Sequence, residues 1–169
     1  MDNKAKLNIQ MNSTSIEFAV ARLGSGLEEK DEDYCWCKVS LTVKSHLFNY
    51  KKTDEEIITF YELKELYKSL DNLLNDRLQE PEFVDFTEPD LELYLFPQLY
   101  VRENDNVIYV KEGYEFVDIE AELIINLQDI DMIYRGEKYI YPLDRKEIVS
   151  LKDYLEKTIP ILQKQWDEA

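Results

Sequence analysis

A ten-residue alternation from Cys35 to Lys44 constrains this chain more than any other feature. Cys35, Cys37, Val39, Leu41 and Val43 fall on one face of an extended segment, and Trp36, Lys38, Ser40, Thr42 and Lys44 on the other. Side chains of a strand point alternately to its two faces, so this segment reads as an antiparallel strand with one buried and one solvated face. Such a strand needs partners. Leu7–Met11 alternates in the same way, and Ile16, Phe18 and Val20 alternate against Ser15 and Glu17. Gly24-Ser25-Gly26 breaks that pattern, and a charged loop follows from Glu28 to Asp33. Phe48 and Tyr50 either continue the long strand or begin its hairpin partner.

Two helices have marked starts. Thr59 with Glu62 three residues on forms a capping box, and Leu63, Leu66, Tyr67, Leu70, Leu73 and Leu74 recur at helical spacing. This predicts a helix over about 59–77, with Arg77 at the negative pole of its dipole. Asp144 and Glu147 repeat the box, Leu143 can staple onto Ile148, and Ile148, Leu151, Leu155, Ile159 and Leu162 form a stripe over about 144–165. Pro160 lacks a backbone donor and is expected to kink or restart that helix. Between the helices lie strands: Phe83–Phe86, Leu91–Phe96, a hairpin from Leu99–Val101 through Asn104-Asp105-Asn106 to Val107–Val110, a long strand with Val117, Ile119, Ala121, Leu123, Ile125 and Leu127 inward, and Tyr139–Tyr141. Helical crossovers do not separate these strands. The expected class is therefore α+β, a largely antiparallel sheet covered by two helices. With 169 residues, four Gly, five Pro and no repeat, one domain over 1–169 is expected.

Charge narrows the function. Asp and Glu number 36 against 20 Lys and Arg, for a net charge of −16. That field repels phosphate backbones and anionic lipid head groups, so neither nucleic acid nor a membrane is expected as a partner. The basic pair Lys51-Lys52 is followed at once by Asp54-Glu55-Glu56. A basic protein partner would be steered in; solubility alone also accounts for such a charge. Apolar residues make up 44% of the chain, with 12 Tyr and 7 Phe, which excludes a disordered acidic tail. No apolar signal core follows Met1, and no apolar run is long enough to span a bilayer, so the expected location is the cytoplasm.

The chemistry-bearing templates are missing. There is no GxSxG, HExxH, CxxC or glycine-rich phosphate loop. Cys35 and Cys37 share a strand face with no further ligands at hand, and His46 falls on the other face, so they read as buried free thiols of a reducing compartment. No metal or cofactor is expected, and no enzyme: abundant carboxylates do not make an acid/base pair. Two acidic stretches remain. Asp118, Glu120 and Glu122 share the polar face of their strand. They are either a solvated face matched by cations such as Lys38 and Lys44 or a docking stripe for a cationic partner. The loop with Glu28, Asp31 and Asp33 lacks the ligand spacing of a calcium loop and is either a solvated connection or a partner contact. Trp36, beside it on the polar face, is an aromatic anchor if exposed and a packing residue if covered.

Three segments in order carry a resemblance. Asp33-Tyr34-Cys35-Trp36-Cys37 opens a strand, Thr59-Phe60-Tyr61-Glu62-Leu63-Lys64-Glu65-Leu66 opens a helix, and Phe86-Thr87-Glu88-Pro89-Asp90-Leu91 leads into a strand. This order resembles the WapI-type immunity proteins of bacterial polymorphic toxin systems, over about residues 5–160. It departs in Cys35 and Cys37, which flank the tryptophan, and in the hairpin near 101–113. The resemblance implies a non-catalytic immunity or inhibitor protein that binds and neutralises a cognate toxin domain, many such toxins being nucleases. On that reading Asp118, Glu120, Glu122, Glu28, Asp31, Asp33 and Trp36 make the contact. A non-catalytic interaction domain for another partner is the alternative, and a carboxylate-based enzyme or ligand binder a more distant one.

Overall fold

A computed structural model describes residues 6–11, 13–46, 48–88, 90–98, 118–126 and 138–169. Among them, β1 (Leu7–Met11), β2 (Thr14–Leu23), β3 (Trp36–Lys44) and β4 (Asn49–Thr59) form an antiparallel meander in sequence order. The alternation acts as its pattern requires. Cys37, Val39, Leu41 and Val43 are buried, Trp36, Lys38, Ser40 and Thr42 half-buried, and Lys44 exposed. Phe48 and Tyr50 introduce a hairpin partner, paired Lys44 to Asn49 and Trp36 to Thr59. One of the two register shifts against β3 falls where Asp54 takes a left-handed backbone, φ 59°. Arg22 holds its carboxylate there through two bonds of 2.9 and 3.1 Å.

Helix α1 (Phe60–Leu74) starts directly from β4. Thr59 Oγ1 accepts from the Glu62 amide at 3.2 Å, and the Thr59 amide donates to Glu62 Oε2 at 2.7 Å. The helix ends earlier than the sequence predicts because the chain turns through a left-handed Asp76, φ 54°. The Asp76 amide donates to the Leu73 carbonyl and the Arg77 amide to the Asn72 carbonyl, a Schellman closure. The second sheet follows: β5 (Glu82–Val84), β6 (Leu91–Phe96), β7 (Glu120–Asn126) and β8 (Lys138–Leu143), again antiparallel in sequence order. The expected α+β architecture is present, with the described strands divided into two four-stranded sheets. The expected hairpin over 99–110 lies outside the described residues, as do Val117 and Leu127.

Helix α2 (Arg145–Glu168) closes the chain behind a second capping box at Asp144 and Glu147. It runs through Pro160 without restarting. Tertiary contacts on the far side hold the last turns: Leu162 is buried, Trp166 packs on Phe60 at 6.2 Å, and Gln165 accepts from the Leu23 amide at 3.0 Å. One apolar cluster joins both sheets and both helices. At the seam, Ile16, Phe18 and Leu41 of the first sheet meet Leu93 and Leu123 of the second, with Leu66 and Leu151 from the helices. Polar ties cross the seam too. Lys52 pairs with Asp90, and Thr14 Oγ1 lies 3.1 Å from the Tyr139 hydroxyl.

α2 also seals an edge. β1 covers β2 only from Thr14 to Phe18. Beyond that, the Val20 amide donates to the Tyr154 hydroxyl at 2.7 Å and the Leu23 amide to Gln165, so helix side chains take the place of a strand partner.

Candidate functional site

The three sequence segments singled out above converge on the N-terminus of α1. The first amides of a helix have no intrahelical acceptor. Here the Phe60 amide donates to the Cys35 carbonyl at 2.7 Å, and the Tyr61 amide to the Glu32 carbonyl at 3.3 Å. Glu62 closes the capping box with one oxygen and with the other accepts from Thr87, from its amide at 2.5 Å and its hydroxyl at 2.7 Å. One carboxylate thus ties the helix start to the turn leading into β6. These segments are a structural joint.

The acidic loop is built on that joint. It closes where the Gly24 amide donates to the Trp36 carbonyl at 2.6 Å and the Trp36 amide to the Ser25 carbonyl at 2.9 Å. Gly26, φ 79°, packs under the Tyr34 carbonyl, and a Cβ there would stand 2.0 Å from its oxygen. Both helices grip the loop. Lys30 Nζ donates to the Trp166 carbonyl at 2.5 Å and lies 5.2 Å from that indole's centre. Lys64 pairs with Glu32 at 2.6 Å. Glu28, Glu29, Asp31 and Asp33 are exposed and have no ion pair among the described residues, Asp31 accepting only from the Asp33 amide at 3.1 Å. Trp36 is half-buried; the exposed aromatics here are Tyr34 at 62% and Tyr61 at 46%.

The second acidic stretch divides. Arg145 grips Asp118, with Nη2 2.6 Å and Nε 2.9 Å from the carboxylate. That bond, with the Ile119 amide, holds the Asp118 carboxyl below the usual carboxylate range. Glu120 and Glu122 have no such partner among the described residues. They face out of the second sheet, opposite Phe96 and Tyr94 of β6. Lys38 and Lys44 do not serve them, because β3 belongs to the other sheet; Lys38 pairs with Glu56 at 3.0 Å. The neighbouring Glu92 has its cation in Lys138 at 2.6 Å and a bond from Asn126 at 3.0 Å, which together lower its pKa.

The two acidic surfaces are not one site. Asp118 sits at the start of α2 through Arg145, and the loop at its end through Trp166. At 1.5 Å per residue those helix positions are about 30 Å apart.

Sequence reasoning missed Phe83, Tyr34 and Tyr61 as exposed aromatics and the half-buried Tyr94 beside Phe83. For Tyr94 and Phe96 the signal was present, since their alternation with Leu91, Leu93 and Leu95 puts them on the polar face.

Other groups are accounted for structurally. Cys35 and Cys37 are buried free thiols, both pushed up in pKa by burial. Ser13 Oγ lies 3.3 Å from His46 Nδ1, at the surface. Among the described residues, no group of three or more His, Cys, Asp or Glu is placed to hold a metal ion. An open concavity of about 600 Å³ lies over the polar face of the first sheet, between Asn8, Gln10, Thr42, Lys44 and Lys51. The one carboxylate among its described lining residues, Glu17, pairs with Lys6 at 2.8 Å.

The sequence model of the Immunity protein WapI-like family matches residues 6–161. The chain belongs to that family. No curated protein matches it individually. In this WapI-like immunity protein the matched span takes in β1 to β8 and most of α2, hence both acidic surfaces and the joint at α1. No described helix is long and apolar enough to cross a membrane.

Proposed function

We propose that this chain binds a cognate bacterial toxin domain in the cytoplasm and holds it inactive by occlusion, without turnover, through an acidic surface that suits a basic partner such as a nuclease. The match to the WapI-like immunity family over residues 6–161 carries this reading. The charge supports it. A net −16 steers a cationic partner inward and raises its association rate. Glu120 and Glu122 on β7, and Glu28, Asp31 and Asp33 in the loop, are carboxylates with no cation among the described residues and are offered to an external one. Tyr34, exposed beside the loop, adds an aromatic contact next to the half-buried Trp36.

The test is co-expression with the toxin domain encoded beside this chain. Growth arrest by the toxin alone and protection by the pair is the expected result. The purified pair weakens steeply between about 0.05 and 0.5 M salt, as the screening length contracts. Arrest that persists despite ample soluble chain would defeat the immunity reading. Protection with salt-independent affinity would defeat the acidic mode of contact alone.

A further inference from the structure

We propose that the outer face of the second sheet is the docking surface, and that its row Phe83–Tyr94–Glu122 seats an arginine side chain of the partner protein. This rests on the immunity reading and specifies where and how the partner is held. Three adjacent strands build the row. Phe83 of β5 pairs with Tyr94 of β6, and Tyr94 with Glu122 of β7. The Phe83 and Tyr94 rings lie 4.5 Å apart between centres, tilted by 32°. Phe83 is 44% exposed, and Ile140 of β8, on the same outer face, 54%. Tyr94 and Glu122 are half-buried beside them, so the platform is reached from its Phe83 end.

Charge says what sits on it. Of the carboxylates around this face, Asp118 is held by Arg145 and Glu92 by Lys138. On β7 itself, Glu120 and Glu122 have no cation among the described residues, and they stand beside the aromatic rings, about 7 Å from each other along the strand. A ring face next to an unmatched carboxylate is complementary to a guanidinium. That group lies flat on the ring and gives two parallel N–H bonds to the carboxylate. A lysine ammonium can take the charge but neither the stacking nor the fork. The acidic loop has exposed tyrosines as well, but Lys30 and Lys64 already stand within it, and it is a loop rather than a strand platform.

The probe is triarginine amide against trilysine amide at equal charge, titrated into the intact chain at low salt and followed by amide NMR shifts. The largest shifts are expected at Phe83, Tyr94, Glu120 and Glu122, with triarginine binding several-fold tighter than trilysine. Glu122→Gln and Phe83→Ser should each abolish that preference. Equal binding of the two peptides, or shifts centred on residues 28–33, would overturn the proposal. The same variants in the co-expression assay separate the two claims. Protection that survives Glu122→Gln with Phe83→Ser removes this surface and leaves the immunity role. Loss of protection by the unmodified chain, with the arginine preference intact, removes the role and leaves the seat.

Discussion

Removing one hydroxyl from α2 tests whether the helix seals the edge of the first sheet. Tyr154→Phe keeps the ring, its burial and its edge-on contact with Phe18 at 6.0 Å. It takes away the acceptor of the Val20 amide at 2.7 Å. That amide is buried and lies where β1 no longer reaches, so it is left without a partner. A buried donor left unsatisfied costs about 1–3 kcal/mol. With a urea m-value of about 2 kcal/mol/M, the midpoint should fall by about 0.5–1.5 M with m unchanged. Gln165→Leu takes the acceptor from the Leu23 amide about three turns further along, roughly 16 Å away, so the two losses should add to within about 0.5 kcal/mol. Equilibrium unfolding followed by far-ultraviolet circular dichroism measures both. A Tyr154→Phe midpoint within about 0.1 M of the parent, against the shift expected for an orphaned donor, would refute the sealing argument.

Glu62→Ala removes the return bond of the capping box and both bonds to Thr87, and should cost about 2–4 kcal/mol, more than an ordinary cap deletion of about 1 kcal/mol, which Thr59→Ala calibrates in the same denaturation series. Glu92 and Asp118 have folded pKa values below their ordinary 4.5 and 3.8, through bonds from Lys138 and Arg145 respectively. Their contribution is present above those ordinary values and is lost as pH falls through the lower folded values. Stability should therefore decline below about pH 4.5, and Glu92→Gln should flatten the upper part of that decline in unfolding curves taken stepwise from pH 6 to pH 3.

The sequence exposed the parts of this fold whose signals are local. The alternation of β3, the exact span of Leu91–Phe96 and both capping boxes depend on neighbouring residues, and each appears where the pattern puts it. What stayed hidden depends on distant partners. β4 carries charges through Lys51–Glu56 with no clean alternation to mark its length, yet it pairs along β3 with two register shifts, as the edge strand of its sheet. The end of α1 is set by a left-handed aspartate, without the glycine that usually announces such a turn. In the candidate site, acidity was visible and its matching was not. Asp118 and Glu120 look alike in the chain, and only the arrival of Arg145 from α2 tells them apart. The alternation leaves Trp36 open between an exposed anchor and a covered packing residue; it is half-buried, and Tyr34, two positions earlier, carries more exposure.

The grip of the loop on α1 runs through the main-chain oxygens of Glu32 and Cys35. Every amino acid supplies the same oxygen at those places. Residues 28, 29, 31 and 33, whose side chains all face outward, can therefore be exchanged without loosening the helix they help to begin. The loop's outward chemistry and the helix start beneath it are thereby uncoupled: the first can be rewritten while the second stands still.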